Sequence, residues 1–277
     1  MKEIKAIFVD YDGTLLRSDG TVSDHTKRII KSYINRGGRV YLNTGRVGTS
    51  AVAAAKELGL SKYVACCQGG VVYDVDSEEP AWSTTIEGDL AIEITSWLES
   101  KGFYFQIYPI TGGYYTEKYA VPYTDFYENA CGKPAVILGE KVSDFIRREK
   151  VGLVKILVVF DGEVDEPFKR ELFALYGDRI STSVSRANPT YFEINNPLNS
   201  KGNALLRIAE AEGLDVENCA AFGDQGNDAS MVKCAGVGVA VANATDELKA
   251  VADYVTSSND DDGVAEFIEK FCLGEGL

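Results

Sequence analysis

Two carboxylates on alternate residues, Asp10 and Asp12, follow a short apolar run from Ala6 to Val9, and Gly13 comes directly after them. Acids placed so closely repel unless a cation lies between them. A hard divalent ion such as Mg2+ takes carboxylate, carbonyl and water oxygens of this kind. The same residues also make an ordinary Asx-type turn with both acids solvated, so the pair alone leaves two readings open. Thr44-Gly45-Arg46 offers a hydroxyl and free backbone N–H groups at a helix start, where phosphate oxygens bind well, or else a simple helix cap. Lys201 opens another helix after Asn199-Ser200, either aiming an ammonium at the same centre or sitting at the surface. Gly223-Asp224-Gln225-Gly226-Asn227-Asp228 ends a further apolar run and supplies a metal-ligating acid or a plain turn. Together the four clusters provide a nucleophile, a second acid, a metal site and anion donors.

The elements that must position these groups can be read from periodicity. Ile4 and Ala6–Val9, Arg39–Leu42 and Tyr63–Cys67 read as buried strands, with helices over 23–36 and 51–58 between them. Strand and helix alternate at a spacing that predicts parallel strands with right-handed crossovers. In such sheets ligands bind beyond the carboxyl ends of the strands, which is where Asp10, Thr44 and Asp224 fall. From about Pro80 the texture changes to a tyrosine-rich stretch. It predicts helices at 89–100, 142–150 and 167–176 and strands at 103–108, 114–116, 135–138, 154–160 and 180–184. That pattern describes a small α/β domain with an antiparallel sheet, whose tyrosines fill its core or stack on a ring. The first pattern resumes with a strand at Tyr191–Ile194 and a helix from Lys201 to about Glu212, with Leu205, Leu206, Ile208, Ala209 and Ala211 on its buried face. Strands at 218–222, 237–241 and 254–256 and helices at 229–234, 245–251 and 263–271 complete it. The fold class expected is therefore α/β: a doubly wound parallel-sheet core in two segments, 1–82 and 187–277, interrupted by an inserted domain at 83–186.

A net charge of −14 with 45% hydrophobic and 25% charged residues describes a globular chain without the basic footprint that nucleic acid or an anionic membrane demands. No run approaches the length of a membrane span, and Met1–Ile4 lacks the features of a signal peptide. The six cysteines, Cys66, Cys67, Cys131, Cys219, Cys234 and Cys272, include no Cys-x-x-Cys pair and read as buried reduced thiols in a cytoplasmic protein. The single histidine, His25, lies in a polar stretch, which leaves no zinc site built from several histidines.

Asp10-Tyr11-Asp12-Gly13-Thr14-Leu15 resembles motif I of the haloacid dehalogenase superfamily. Thr44 in Asn43-Thr44-Gly45-Arg46 is similar to its motif II, Lys201 in Lys201-Gly202-Asn203 to motif III, and Gly223–Asp228 to motif IV. Their order, and the large insert between the second and third, resemble the Cof-type phosphatases with a type IIB cap. Asn243-Ala244, Lys249, Ala252–Val255 and Asp262–Val264 extend the match through the tail. Gln68 stands where these proteins commonly have Asn before Gly69, and Val241-Ala242 where Met-Gly is common.

The resemblance implies hydrolysis of a phosphate monoester through an aspartyl-phosphate. Asp10 would be the nucleophile, and Asp12 the acid and then the base. Mg2+ would be held by the Asp10 side chain, the Asp12 carbonyl and Asp224, and Thr44, Gly45, Lys201 and Asn227 would bind the phosphoryl oxygens. Asp228 would either hold Lys201 or cap a helix. The cap would select among small phosphorylated metabolites, sugar phosphates or cofactor phosphates, and the protein would be a monomer or homodimer. A phosphomutase of the same fold, or a phospho-ligand-binding regulator without turnover, is the alternative.

Overall fold

Four residues without solvent exposure, Ala6, Ile7, Phe8 and Val9, form the first strand, β1 (Ala6–Val9), buried on both faces as a central parallel strand must be. The structure is a computed structural model that describes residues 3–125, 128, 134–186 and 189–274. It divides into two units, Met1–Ala81 with Ser200–Leu277, and Trp82–Asn199. In the first, α1 (Asp24–Asn35) begins at Ser23, whose side chain accepts from the Thr26 N–H. Then come β2 (Arg39–Leu42), α2 (Gly48–Glu57), β3 (Tyr63–Cys66) and β4 (Val71–Asp74), and the chain leaves through β5 (Pro80–Ser83).

The second unit contains α3 (Gly88–Lys101), β6 (Phe105–Pro109), β7 (Tyr115–Thr116), β8 (Val136–Ile137), α4 (Val142–Glu149), β9 (Leu153–Phe160), α5 (Glu166–Tyr176), β10 (Ser181–Arg186) and β11 (Thr190–Asn195). Its sheet runs β10-β11-β9-β6-β7-β8, antiparallel except for the β7–β8 pair. Alternate residues, Phe105 and Ile107, Ile156 and Val158, Phe192 and Ile194, pack with Leu90, Ile94, Leu98, Phe168 and Leu172 from the helices. Tyr115 and Tyr176 join that apolar cluster, so these tyrosines serve the core. The opposite phase of the same strands carries Gln106, Lys155 and Glu193. Lys155 Nζ lies 2.6 Å from Glu193 Oε1 with both side chains at most 3% exposed.

Back in the first unit, α6 (Lys201–Ala211), β12 (Cys219–Gly223), α7 (Ala229–Cys234), β13 (Val237–Ala240), α8 (Asp246–Lys249), β14 (Tyr254–Val255) and α9 (Gly263–Ile268) follow. The sheet order β14-β13-β12-β1-β2 is parallel throughout. Val9 is in register with Leu42 on one side and Phe222 on the other. The residues that follow each strand, Asp10, Asn43-Thr44 and Asp224, therefore emerge side by side at one sheet edge.

Four expectations are corrected. The strand at 191–194 belongs to the second unit, because β11 pairs antiparallel with β9 and β10. The return to the first unit accordingly comes at Ser200, not at 187. Tyr63–Cys66 runs parallel to the edge only at one bridge, Asn43–Ala65, where the Thr44 N–H donates to the Ala65 carbonyl, and along its full length it pairs antiparallel with β4. On α6, Leu206 and Ala211 face solvent, while Lys201, Gly202, Ala204, Leu205, Ile208 and Ala209 are buried. Among the described residues no helix is long and apolar enough to cross a membrane. Cys66, Cys67 and Cys219 are buried thiols outside any disulfide and Cys234 and Cys272 half-buried ones, whereas Cys131 lies outside the described residues. His25 is partly exposed, 3.4 Å from Glu269.

Candidate active site

Lys201 is a cation with only 1% of its side chain exposed, and its Nζ lies 2.6 Å from both Asp10 Oδ1 and Asp228 Oδ1. Ser200 delivers it by capping α6, its hydroxyl accepting from the Asn203 N–H. Burial alone would lower the Lys201 pKa, but Asp10 and Asp228 outweigh it and hold the ammonium above the ordinary lysine range. For Asp10 burial dominates and pushes the carboxyl up to about 8, Lys201 opposing and Asp228 and Asp224 adding to the rise. Burial, then Asp228, also raises Asp224.

Asp224 sits against the first loop. Thr14 Oγ1 and Gln225 Nε2 donate to its two oxygens at 3.1 Å each. A Cβ on Gly13 would lie 2.5 Å from Asp224 Oδ2, and Gly13 has φ +77°, so only glycine lets the loop pass this close. Asp228 has both of the roles left open for it. Its Oδ1 holds Lys201, while its Oδ2 accepts from the backbone N–H groups of Asp224 and Gln225 at 2.9 and 3.0 Å, completing a reciprocal capping box with Gln225.

Carboxylate oxygens of Asp10, Asp224 and Asp228 lie within 4.8 Å of one another. With all three acids ionised, one ammonium leaves two negative charges uncompensated, a set that fits a divalent cation with oxygen ligands. Asp228 already spends its oxygens on Lys201 and the backbone, which leaves Asp10 and Asp224 as the side chains fitted to ligate.

Thr44 is 1% exposed, and its hydroxyl accepts from the Arg46 N–H at 3.2 Å. Gly45 follows in the same loop. Asn227 is exposed, its Nδ2 donating to Gln68 Oε1 at 3.0 Å. The structure does not bring the Asp12 carboxylate into the acidic cluster. Arg46 grips it with two donors, Nε to Oδ2 at 2.8 Å and Nη2 to Oδ1 at 2.6 Å, while its guanidinium lies 4.7 Å from the Tyr11 ring centre. Sequence reasoning missed several groups. Asn43, fully buried, donates from Nδ2 to the Lys201 carbonyl at 2.7 Å and ties the second motif to the third. Thr14 and Gln225 steady Asp224. Each lies inside a motif already singled out, so adjacency was the available signal.

All of these residues lie in the first unit. A family model described as haloacid dehalogenase-like hydrolase matches residues 7–268. The chain belongs to this family. It is 30% identical over 287 residues to the phosphatase YwpJ of Bacillus subtilis (strain 168), covering 96% of this chain and 99% of the relative. It is 29% identical to 5-amino-6-(5-phospho-D-ribitylamino)uracil phosphatase YcsE of the same organism, over 98% and 97% of the two chains. The crystal structure of a haloacid dehalogenase-like hydrolase from Bacteroides thetaiotaomicron is similar at 27% identity with a TM-score of 0.84, covering 97% and 99%. This haloacid dehalogenase-like hydrolase is thus an enzyme of the phosphatase type, acting on phosphorylated substrates.

Proposed function

We propose that the chain is a Mg2+-dependent phosphatase that hydrolyses a small phosphorylated metabolite, a sugar phosphate or a cofactor phosphate, through an aspartyl-phosphate on Asp10. The observation that carries this reading is the buried Lys201 ammonium between Asp10 and Asp228, 2.6 Å from each. An ammonium is placed there at a cost in desolvation and stands beside the carboxylate best situated to attack phosphorus. Asp10 forms the bond to phosphorus as the ester oxygen leaves. Asp12 protonates that oxygen and then takes a proton from the water that releases phosphate. Arg46 presents Asp12 to this task by gripping both of its oxygens, and the grip weakens when Asp12 carries a proton, because a neutral carboxyl is a poorer acceptor than a carboxylate. Thr44, the Gly45 amide, Lys201 and Asn227 bind the phosphoryl oxygens. Mg2+, held by the Asp10 and Asp224 carboxylates and the Asp12 carbonyl, would screen the repulsion between anionic nucleophile and anionic substrate.

The test is phosphate release from a panel of sugar and cofactor phosphates, the ribitylaminouracil phosphate named for YcsE among them. Wild type and Asp10→Asn are assayed with Mg2+ and with EDTA. Release that requires Mg2+ and vanishes in the variant supports the reading. A folded, Mg2+-loaded wild type that releases phosphate from none of the panel counts against it.

A further inference from the structure

Outside the four motifs, the turn at 67–69 has a backbone that its side chains do not favour. Cys67 and Gln68 have φ of +50° and +58°, left-handed values, and Gly69 has φ +86°. Such strain persists only where the surroundings enforce it, and it concentrates at functional sites. Here the surroundings are the site itself. The Cys67 N–H donates to the Arg46 carbonyl at 2.9 Å and the Gln68 N–H to the Thr44 carbonyl at 3.2 Å, pinning the phosphate loop from both ends. A Cβ at Gly69 would lie 2.3 Å from the Ser200 carbonyl, so the turn also abuts the residue that delivers Lys201. The Gln68 side chain, 8% exposed, accepts from Asn227 Nδ2 at 3.0 Å. Its own Nε2 lies over Gly45, where a Cβ would come within 2.6 Å. Among the described residues that amide meets no acceptor.

We infer that Gln68 is a phosphoryl-binding residue: its Nε2 donates to an oxygen of the phosphoryl group beside the Gly45 amide, and its Oε1 holds Asn227 with its amide turned to the same group. This deepens the reading of the preceding subsection and rests on it. An amide has one end that accepts and one that donates, so a single side chain serves both tasks, and the left-handed turn aims it.

The experiment measures binding of inorganic phosphate, by calorimetry with Mg2+ present, to wild type, Gln68→Leu and Gln68→Glu, alongside turnover of p-nitrophenyl phosphate. Gln68→Glu keeps the acceptor for Asn227 but replaces the donor with a negative charge, so a packing role would tolerate it. The expected result is at least tenfold weaker phosphate binding in Gln68→Leu and weaker still in Gln68→Glu, with melting temperatures near that of wild type. Turnover should show KM raised more than kcat is lowered. Gln68→Glu binding phosphate as tightly as wild type, or a wild type that binds none, overturns the inference. A wild type that binds phosphate with the expected order among variants, yet releases none from any ester, sinks the phosphatase reading and leaves the Gln68 assignment standing.

Discussion

At the scale of single residues, the site is a set of buried charges that repel one another more than they attract. Asp10 shows this most clearly, its carboxyl raised from 3.8 to about 8 chiefly by burial. The sign follows from linkage. Between those values the folded protein keeps a proton that the unfolded chain has released, so this contribution to stability is present at low pH and fades as pH rises toward 8. In EDTA, the melting temperature of wild type relative to Asp10→Asn should therefore fall between pH 5 and pH 8, and a difference that rises over that range would contradict the assignment. Asp224, also raised by burial and Asp228, leads to a second expectation. Asp224→Asn should melt higher than wild type in EDTA and lose the stabilisation that Mg2+ confers, both readable in one thermal scan series. Lys201→Met should behave in the opposite way, because it strips Asp10 and Asp228 of their cation. A loss of about 3–5 kcal/mol is expected by urea titration. At Arg46, replacement by Lys removes the planar fork that grips both Asp12 oxygens, and kcat should drop roughly 100-fold, the scale of a catalytic group misplaced by an ångström. An Arg46→Lys enzyme with unchanged kcat would remove Arg46 from the mechanism.

At the scale of elements, the parallel sheet around β1 and the loops at its carboxyl edge were legible because apolar runs, glycines and caps all agree there. Ser200 is one such cap, and Ser200→Ala should cost ~1 kcal/mol and shift Lys201 with it. What could not be read was partnership between strands. Thr190–Asn195 alternates in the same way whichever sheet it joins, and only its pairing with Leu153–Phe160 assigns it to the second unit. Tyr63–Cys66 looked like a further parallel strand because its helix precedes it at the right distance. The turn at Gln68 instead folds Val71–Asp74 back on it. Side-chain geometry was the other blind spot. The motif letters named Asp12 and Arg46 but carried no sign that one grips the other, since a contact across 34 residues leaves no local pattern. Asp228 was readable as either a cap or a partner of Lys201, and its two oxygens allow both.

At the scale of the whole molecule, a net charge of −14 has to be overcome locally for an anionic substrate to bind, and the cations that do so are few and buried. Mg2+ should therefore raise the melting temperature by mass action on the folded state, an effect that excess EDTA reverses. The thiols are bystanders: burial pushes Cys219 up to about 11 and Cys272 up to about 12, so both should resist iodoacetamide at pH 8 until the protein is unfolded. The central claim is that Asp10 carries the phosphoryl group, and the most direct measurement is a rapid acid quench of wild type turning over a radiolabelled phosphate ester. Peptide mapping then locates the label. Label on the peptide containing Asp10, lost in Asp10→Asn and discharged as phosphate when turnover resumes, is the predicted result. Steady release of labelled phosphate with no label on the protein at any quench time, even in an Asp12→Asn variant that should stall the discharge, would contradict it.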